Sequence, residues 1–143
     1  MANIKIPPNC DVTFGFELVG KEVGRTTWTW QPDERWENPV GVVQGGSLGA
    51  FADTVMASTV VTSLEGEKAF VFTAESKVSY FRAVKPGEKL RGEGVVVHKG
   101  SRIAFAEATI FDSEDRIVAK ASSTWAILPR KGSPEPGGAK SEG

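Results

Sequence analysis

Gly45-Gly46-Ser47-Leu48-Gly49-Ala50-Phe51-Ala52-Asp53-Thr54-Val55-Met56-Ala57-Ser58-Thr59-Val60-Val61 decides the fold. A double glycine opens the stretch, nearly every position is apolar or small, and Asp53 is the only charged side chain between Glu37 and Glu65. The apolar residues recur at helical spacing. That predicts a helix from Gly45 or Gly46 to near Leu64, where Glu65-Gly66-Glu67-Lys68 supplies a stop. One face carries Leu48, Phe51, Ala52, Val55, Met56 and Thr59, bulky enough to pack on a sheet. The other carries Gly46, Gly49, Ala50, Asp53, Ala57 and Val60, small enough for another backbone or a narrow ligand to approach. A carboxylate buried in such a helix carries a large desolvation cost unless something holds it there. Asp53 is therefore a candidate for chemistry. Gln44, the glycines, the hydroxyls and Asp53 make the run a buried helix rather than a membrane span.

Upstream, residues 1–12 read as an extended lead-in. Residues 14–23 and 25–30 read as two strands joined at Gly24, and 31–43, with Pro32 and Pro39, as a long functional loop. Downstream the period changes to two over 69–82, 89–98, 102–111 and 116–128. In the first of these runs, alternation puts Phe70, Phe72, Ala74, Val78 and Tyr80 on one face and Thr73, Glu75, Lys77 and Ser79 on the other. Turn chemistry at Val84-Lys85-Pro86-Gly87, Lys99-Gly100-Ser101 and Asp112-Ser113-Glu114-Asp115 predicts an antiparallel meander after the helix. The result is one α+β domain over 13–129, with a disordered tail over 130–143 that is rich in Gly, Pro, Ser, Lys and Glu.

The 143 residues suit one domain with a working core. A net charge of -1 argues against nucleic acid as a partner, because phosphate binding needs a basic surface. One cysteine, Cys10, excludes an internal disulfide and fits a reducing cytoplasm; with one histidine, His98, a His/Cys metal site is not expected. The N-terminus carries no signal-peptide pattern, and no membrane association is expected.

One long apolar helix wrapped by a curved antiparallel sheet of five to six strands describes the hotdog fold. The segment Asn38-Pro39-Val40-Gly41-Val42-Val43-Gln44-Gly45-Gly46 through Asp53-Thr54 resembles the signature of the phenylacetate-degradation type of hotdog acyl-CoA thioesterases. In that family an Asn precedes His-Gly-Gly, and a catalytic Asp or Glu follows within the helix. Tyr80-Phe81-Arg82-Ala83-Val84-Lys85-Pro86-Gly87 and Lys99-Gly100-Ser101-Arg102 are similar to the family's later strands, so the resemblance spans 13–128. Gln44 stands where the family's usual His would be. The resemblance implies an enzyme that hydrolyses an acyl-CoA to a carboxylic acid and free CoA. It implies no cofactor, since coenzyme A is part of the substrate. It also implies a homodimer with shared active sites, often a dimer of dimers. It places Asn38 in the site, and Gln44 and Gly45 against substrate. Thr73 falls where relatives carry a Ser or Thr that orients the water, and Arg82, Lys85 and Arg102 along the groove for the CoA phosphates.

Thioester hydrolysis needs a base or nucleophile, donors for the oxyanion and an exit for the thiolate. A thiolate has a pKa of about 8.5 and needs little general-acid help, so a carboxylate without histidine suffices. Asp53 could activate water or attack the carbonyl to give a mixed anhydride, and the sequence leaves both open. The Gly46 amide, at the helix N-terminus, is the candidate oxyanion donor. These two residues lie seven positions apart, roughly 10 Å along a helix axis, and cannot meet on one carbonyl from one chain. Two antiparallel copies of the helix would bring them together, which predicts a two-fold dimer with composite sites. Blander readings compete: an Asx turn at Asn38, helix capping by Gln44, a plain strand position for Thr73, and solvated surface charge for Arg82, Lys85 and Arg102. Competing functions are a non-catalytic acyl-thioester-binding module and an enoyl thioester hydratase, the latter disfavoured by the lack of His near Gly45.

Overall fold

The computed structural model describes residues 4–130. Its elements are α1 (Asn9–Phe14), β1 (Glu17–Glu22), β2 (Arg25–Trp30), a 3-10 turn (Glu34–Trp36), α2 (Gly45–Thr62), β3 (Ala69–Tyr80), β4 (Leu90–Lys99), β5 (Ile103–Phe111) and β6 (Ile117–Pro129). The strands form one six-stranded antiparallel sheet in the order β1-β2-β4-β5-β6-β3. α2 packs across its inner face. It buries Leu48, Phe51, Ala52, Val55, Met56 and Thr59, the bulky stripe read from the sequence. Val60, expected on the small face, is also buried, whereas Gly49, Ala50, Asp53 and Ala57 are half-buried and Gly46 is exposed. Among the described residues no helix is long and apolar enough to cross a membrane.

The helix sits close because the inner strand positions beneath it are small. Gly92 and Gly94 of β4, Ala104, Ala106 and Ala108 of β5, and Ala119 and Ala121 of β6 are all buried. A Cβ at Gly94 would overlap Thr59 Oγ1 and lie 3.2 Å from the Val55 carbonyl oxygen. The helix hydroxyls are satisfied across this seam. Thr26 and Thr59 share a hydrogen bond of 2.6 Å, and Trp28 Nε1 donates to Ser58 Oγ at 2.7 Å.

Four expectations are corrected. First, residues 9–14 of the lead-in and of the first predicted strand form α1. Gly15 ends the helix in the left-handed region (φ 85°), and Phe14 anchors it by stacking on Phe16 at 4.7 Å and Trp36 at 4.2 Å. Second, the meander covers only β4-β5-β6. The link from β3 to β4 spans nine residues, 81–89, too long for a tight hairpin. It buries Val84 near the start of α2 and carries the chain across, so that β3 closes one edge beside β6 and β4 pairs with β2. Third, β3 does not alternate regularly. Its register against β6 slips between Thr73 and Glu75, a bulge centred on Ala74, so Thr73 faces α2 together with Val78 and Tyr80 while Phe70 and Phe72 point outward. Fourth, Arg130, expected in the tail, is tied to the fold through its N–H to the Lys68 carbonyl at 3.1 Å; the remainder of that tail, 131–143, lies outside the described residues.

The close seat of α2 yields a test. Gly94→Ala is expected to destabilise the fold by about 1–3 kcal/mol, because Val55 backbone and Thr59 must both give way. Gly20→Ala, whose Cβ meets Thr27 only at 3.8 Å, is expected to stay within about 0.5 kcal/mol. Denaturant midpoints of the two variants check this.

Candidate active site

Asp53 lies in the middle of α2 on its half-buried small face, and Thr73 Oγ1 of β3 donates to Asp53 Oδ1 at 2.7 Å. The bulge at Ala74 makes this bond possible. Gly46 occupies the first turn of α2, where backbone N–H groups have no intrahelical acceptor. Ser47 and Leu48 donate to the Gln44 carbonyl at 3.0 and 3.3 Å, but Gln44, at the N-cap, makes no side-chain capping bond. The capping role considered for Gln44 is therefore not observed, and the Gly46 N–H is unclaimed among the described residues. A Cβ at Gly46 would meet only the Gln44 side chain, at 3.5 Å, so nothing inside the chain requires glycine there.

Asn38 orders the loop that delivers the helix start. Its Oδ1 accepts from the Val40 and Val42 amides at 3.1 and 3.2 Å, and its own N–H donates to the Val42 carbonyl at 2.8 Å. Val43 N–H then bonds the Val84 carbonyl, and Gln44 N–H the Trp36 carbonyl, both at 2.8 Å. The Asn38 carboxamide oxygen is thus held by the loop, which leaves its –NH2 as the group able to meet a ligand.

Gly45 faces Tyr80, whose hydroxyl donates to the Gly45 carbonyl at 2.7 Å. Gly45, Leu48, Tyr80, Phe81 and Arg82 line an open pocket of about 310 Å³ beside the start of α2. Arg82 and Lys85 are exposed near this end of the helix. Arg102 is exposed in the β4–β5 turn, where its carbonyl accepts from Ile127, and it is engaged in a further interaction. The Arg82 amide bonds Val118, and Val118 and Ile127 are nine residues apart on β6, roughly 30 Å. One chain does not bring the three cations together. Nor does it bring Gly46 to Asp53, which stay roughly 10 Å apart along α2.

Sequence reasoning missed two groups here. Tyr80 was read only as a strand residue; the signal for its slot is the Gly45/Gly49 pair one turn apart on α2. Asp11, in the segment expected to be extended, is buried in α1 and accepts from Thr54 Oγ1 at 3.1 Å, one residue from Asp53. Among the described residues no group of three or more His, Cys, Asp or Glu could hold a metal ion.

The comparisons with known proteins accord with this geometry. The family model described as "Thioesterase superfamily" matches residues 40–119, more than half of the chain. The chain belongs to the thioesterase superfamily. The 1,4-dihydroxy-2-naphthoyl-CoA hydrolase of Escherichia coli K12 is 28% identical over 113 residues, covering 79% of this chain and 80% of that protein. A solved structure from Ralstonia eutropha, described as a phenylacetic acid degradation-related protein, superposes with a TM-score of 0.78 at 27% identity, over 86% of this chain and 92% of that one. A Streptococcus mutans protein solved with acetyl-CoA bound shares the fold, with a TM-score of 0.76 at 22% identity over 91% of this chain and 97% of that one. The fold is the hotdog fold, and the chain is a thioester hydrolase.

Burial pushes the Asp11 carboxyl above the usual aspartate range, against the opposing hydrogen bonds from Thr54 and Cys10. A raised pKa means that the folded chain holds this proton more tightly than the unfolded chain does. Folding therefore loses stability as pH climbs from about 3.9 through the raised value, and carries no such cost below. Asp11→Asn keeps an acceptor for Thr54 without the charge. Its Tm relative to the native chain is expected to be more favourable at pH 7 than at pH 3; an equal difference at both would contradict the burial argument.

Proposed function

We propose that the chain hydrolyses acyl-CoA thioesters to a carboxylic acid and free CoA, at two sites each shared between the protomers of a two-fold dimer. The observation that carries this reading is the Asp53–Thr73 pair together with a Gly46 N–H, unclaimed among the described residues, on the same half-buried helix face and too far away to act with it in one chain. The 12-residue β3 lies at the sheet edge beyond β6 with its outer backbone groups unpaired among the described residues, a liability that pairing with a second copy removes. Antiparallel pairing there would run the two α2 helices past each other in opposite directions, Gly46 of one toward Asp53 of the other. It would also turn the Arg102 end of one protomer toward the Arg82 and Lys85 end of its mate, where the CoA phosphates would lie. The exposed outer-face residues Phe72, Ile103 and Leu128 offer a surface on which two dimers would pack.

In such a site the acyl carbonyl receives the Gly46 N–H, which stabilises the oxyanion in the transition state. Thr73, while donating to Asp53, can accept from a water and hold it against the carboxylate. Asp53 removes the water's proton as general base, or itself attacks to form an anhydride that water then opens. The thiolate leaves without a strong acid, and Gln44 in place of the family's histidine is no obstacle. Asn38 –NH2 and the Gln44 side chain flank the entrance as further donors. Water is the only co-reactant, so no cofactor is needed. The substrate named for the E. coli relative and the acetyl-CoA held by the S. mutans protein support CoA as the carrier. The lone unpaired thiol of Cys10 suits a cytoplasmic setting.

A free-thiol release assay over aryl, short-chain and long-chain acyl-CoAs tests the reading. Asp53→Asn is expected to lower kcat by at least about 10²-fold. Thr73→Val should lower it by about tenfold. Both variants should keep the native circular dichroism and oligomeric state. Native turnover by Asp53→Asn would end the proposal.

A further inference from the structure

We infer that Tyr80 is a positioning residue for the oxyanion donor, acting through the peptide unit that joins Gly45 to Gly46. The inference rests on the hydrolytic reading of Gly46 given above. The Tyr80 hydroxyl donates to the Gly45 carbonyl at 2.7 Å. That carbonyl and the Gly46 N–H are the two ends of one planar, rigid peptide, so fixing the first fixes the direction of the second. A hydrogen bond accepted at the carbonyl also polarises the unit and strengthens the N–H as a donor. The carbonyl has a second lone pair for its helical partner, so the phenol costs the helix nothing.

The seat for the phenol is built into α2. A Cβ at Gly45 would lie 3.4 Å from Tyr80 Cζ, and one at Gly49 would lie 3.3 Å from the hydroxyl oxygen. Both glycines leave room for the ring of the chain's only tyrosine. Tyr80 is the last residue of β3, opposite Ala119 of β6. The same strand thus carries Thr73 to Asp53 and Tyr80 to Gly45. Seven residues separate the two, an odd number, so in a regular strand they would point to opposite faces. The bulge at Ala74 adds the one residue that turns both toward α2. In a shared site, β3 of each protomer would then serve two centres: Thr73 supporting the carboxylate of one, Tyr80 the oxyanion donor of the other.

Tyr80→Phe keeps the ring and removes only the hydroxyl. Full loss of an oxyanion donor costs about 10²–10³ in rate, and weakening one costs less. The variant is expected to lose about tenfold in kcat with KM within about twofold, at unchanged Tm. The 15N–1H resonance of Gly46 should move upfield with few other amides shifting. Tyr80→Leu, which also loses the ring, should lower Tm as well; the Phe variant recovers that Tm but not the rate. If the native enzyme turns over and Asp53→Asn is inactive, yet Tyr80→Phe keeps native kcat and the Gly46 resonance stays in place, Tyr80 has no positioning role and the hydrolytic reading stands. If the native chain releases no thiol from any acyl-CoA, the hydrolytic reading falls and this inference with it.

Discussion

An α-helix fixes the spacing of what it carries. On α2 the unclaimed donor at Gly46 and the carboxylate at Asp53 are held roughly 10 Å apart, and no side-chain rotation closes that gap for a backbone N–H. In the proposed dimer, one helix would supply halves of two sites that it cannot assemble by itself. The half-buried small face, the edge of β3 left unpaired among the described residues, and the separation of Arg102 from Arg82 are all features that the proposed second chain would complete.

The glycines of this chain do separate physical jobs. Gly92 and Gly94 lower the floor of the sheet so that Phe51, Val55 and Thr59 can settle on it. Gly45 and Gly49 make a slot for a phenol ring, and Gly46 leaves its backbone open to whatever approaches from outside. Beneath them, β3 acts as a ruler whose spacing the Ala74 bulge resets. It meets α2 at Gly45 through Tyr80 and at Asp53 through Thr73. The same strand also lies at the sheet edge, the edge at which the proposed second copy would pair.

Much of this was legible in the residues. The double glycine, the bulky stripe and the lone carboxylate between Gly45 and Val61 specify the helix and the face it buries, because side-chain size, bulky on one side and small on the other, follows the helical turn in a segment that is apolar all round. The strand boundaries fell close to the turn residues that punctuate them. Regular alternation, by contrast, cannot reveal a bulge: no residue type at Ala74 announces one, so alternation puts Phe70 and Phe72 on the face of Val78 and Tyr80 when they lie on the opposite one. The place of β3 in the sheet depends on a nine-residue crossing whose Pro86-Gly87 looks locally like a turn. α1 has only six residues and owes its existence to the packing of Phe14 on Phe16 and Trp36, a tertiary effect with no local period. The Tyr80 contact has no local signal in the sequence, because its partner, the Gly45 carbonyl, lies 35 positions away in the chain.

The shared site is tested most directly by mixing two crippled enzymes. Asp53→Asn removes the carboxylate. Gly46→Pro removes the N–H at a first-turn position where proline is tolerated. Each variant alone should be nearly inactive. After dissociation and random reassociation in equal amounts, half of the dimers pair unlike chains, and each of these holds one intact site of two. Thiol release should then return to about a quarter of the native rate. Absence of recovery in mixtures shown by native mass spectrometry to contain the mixed dimer would contradict the account.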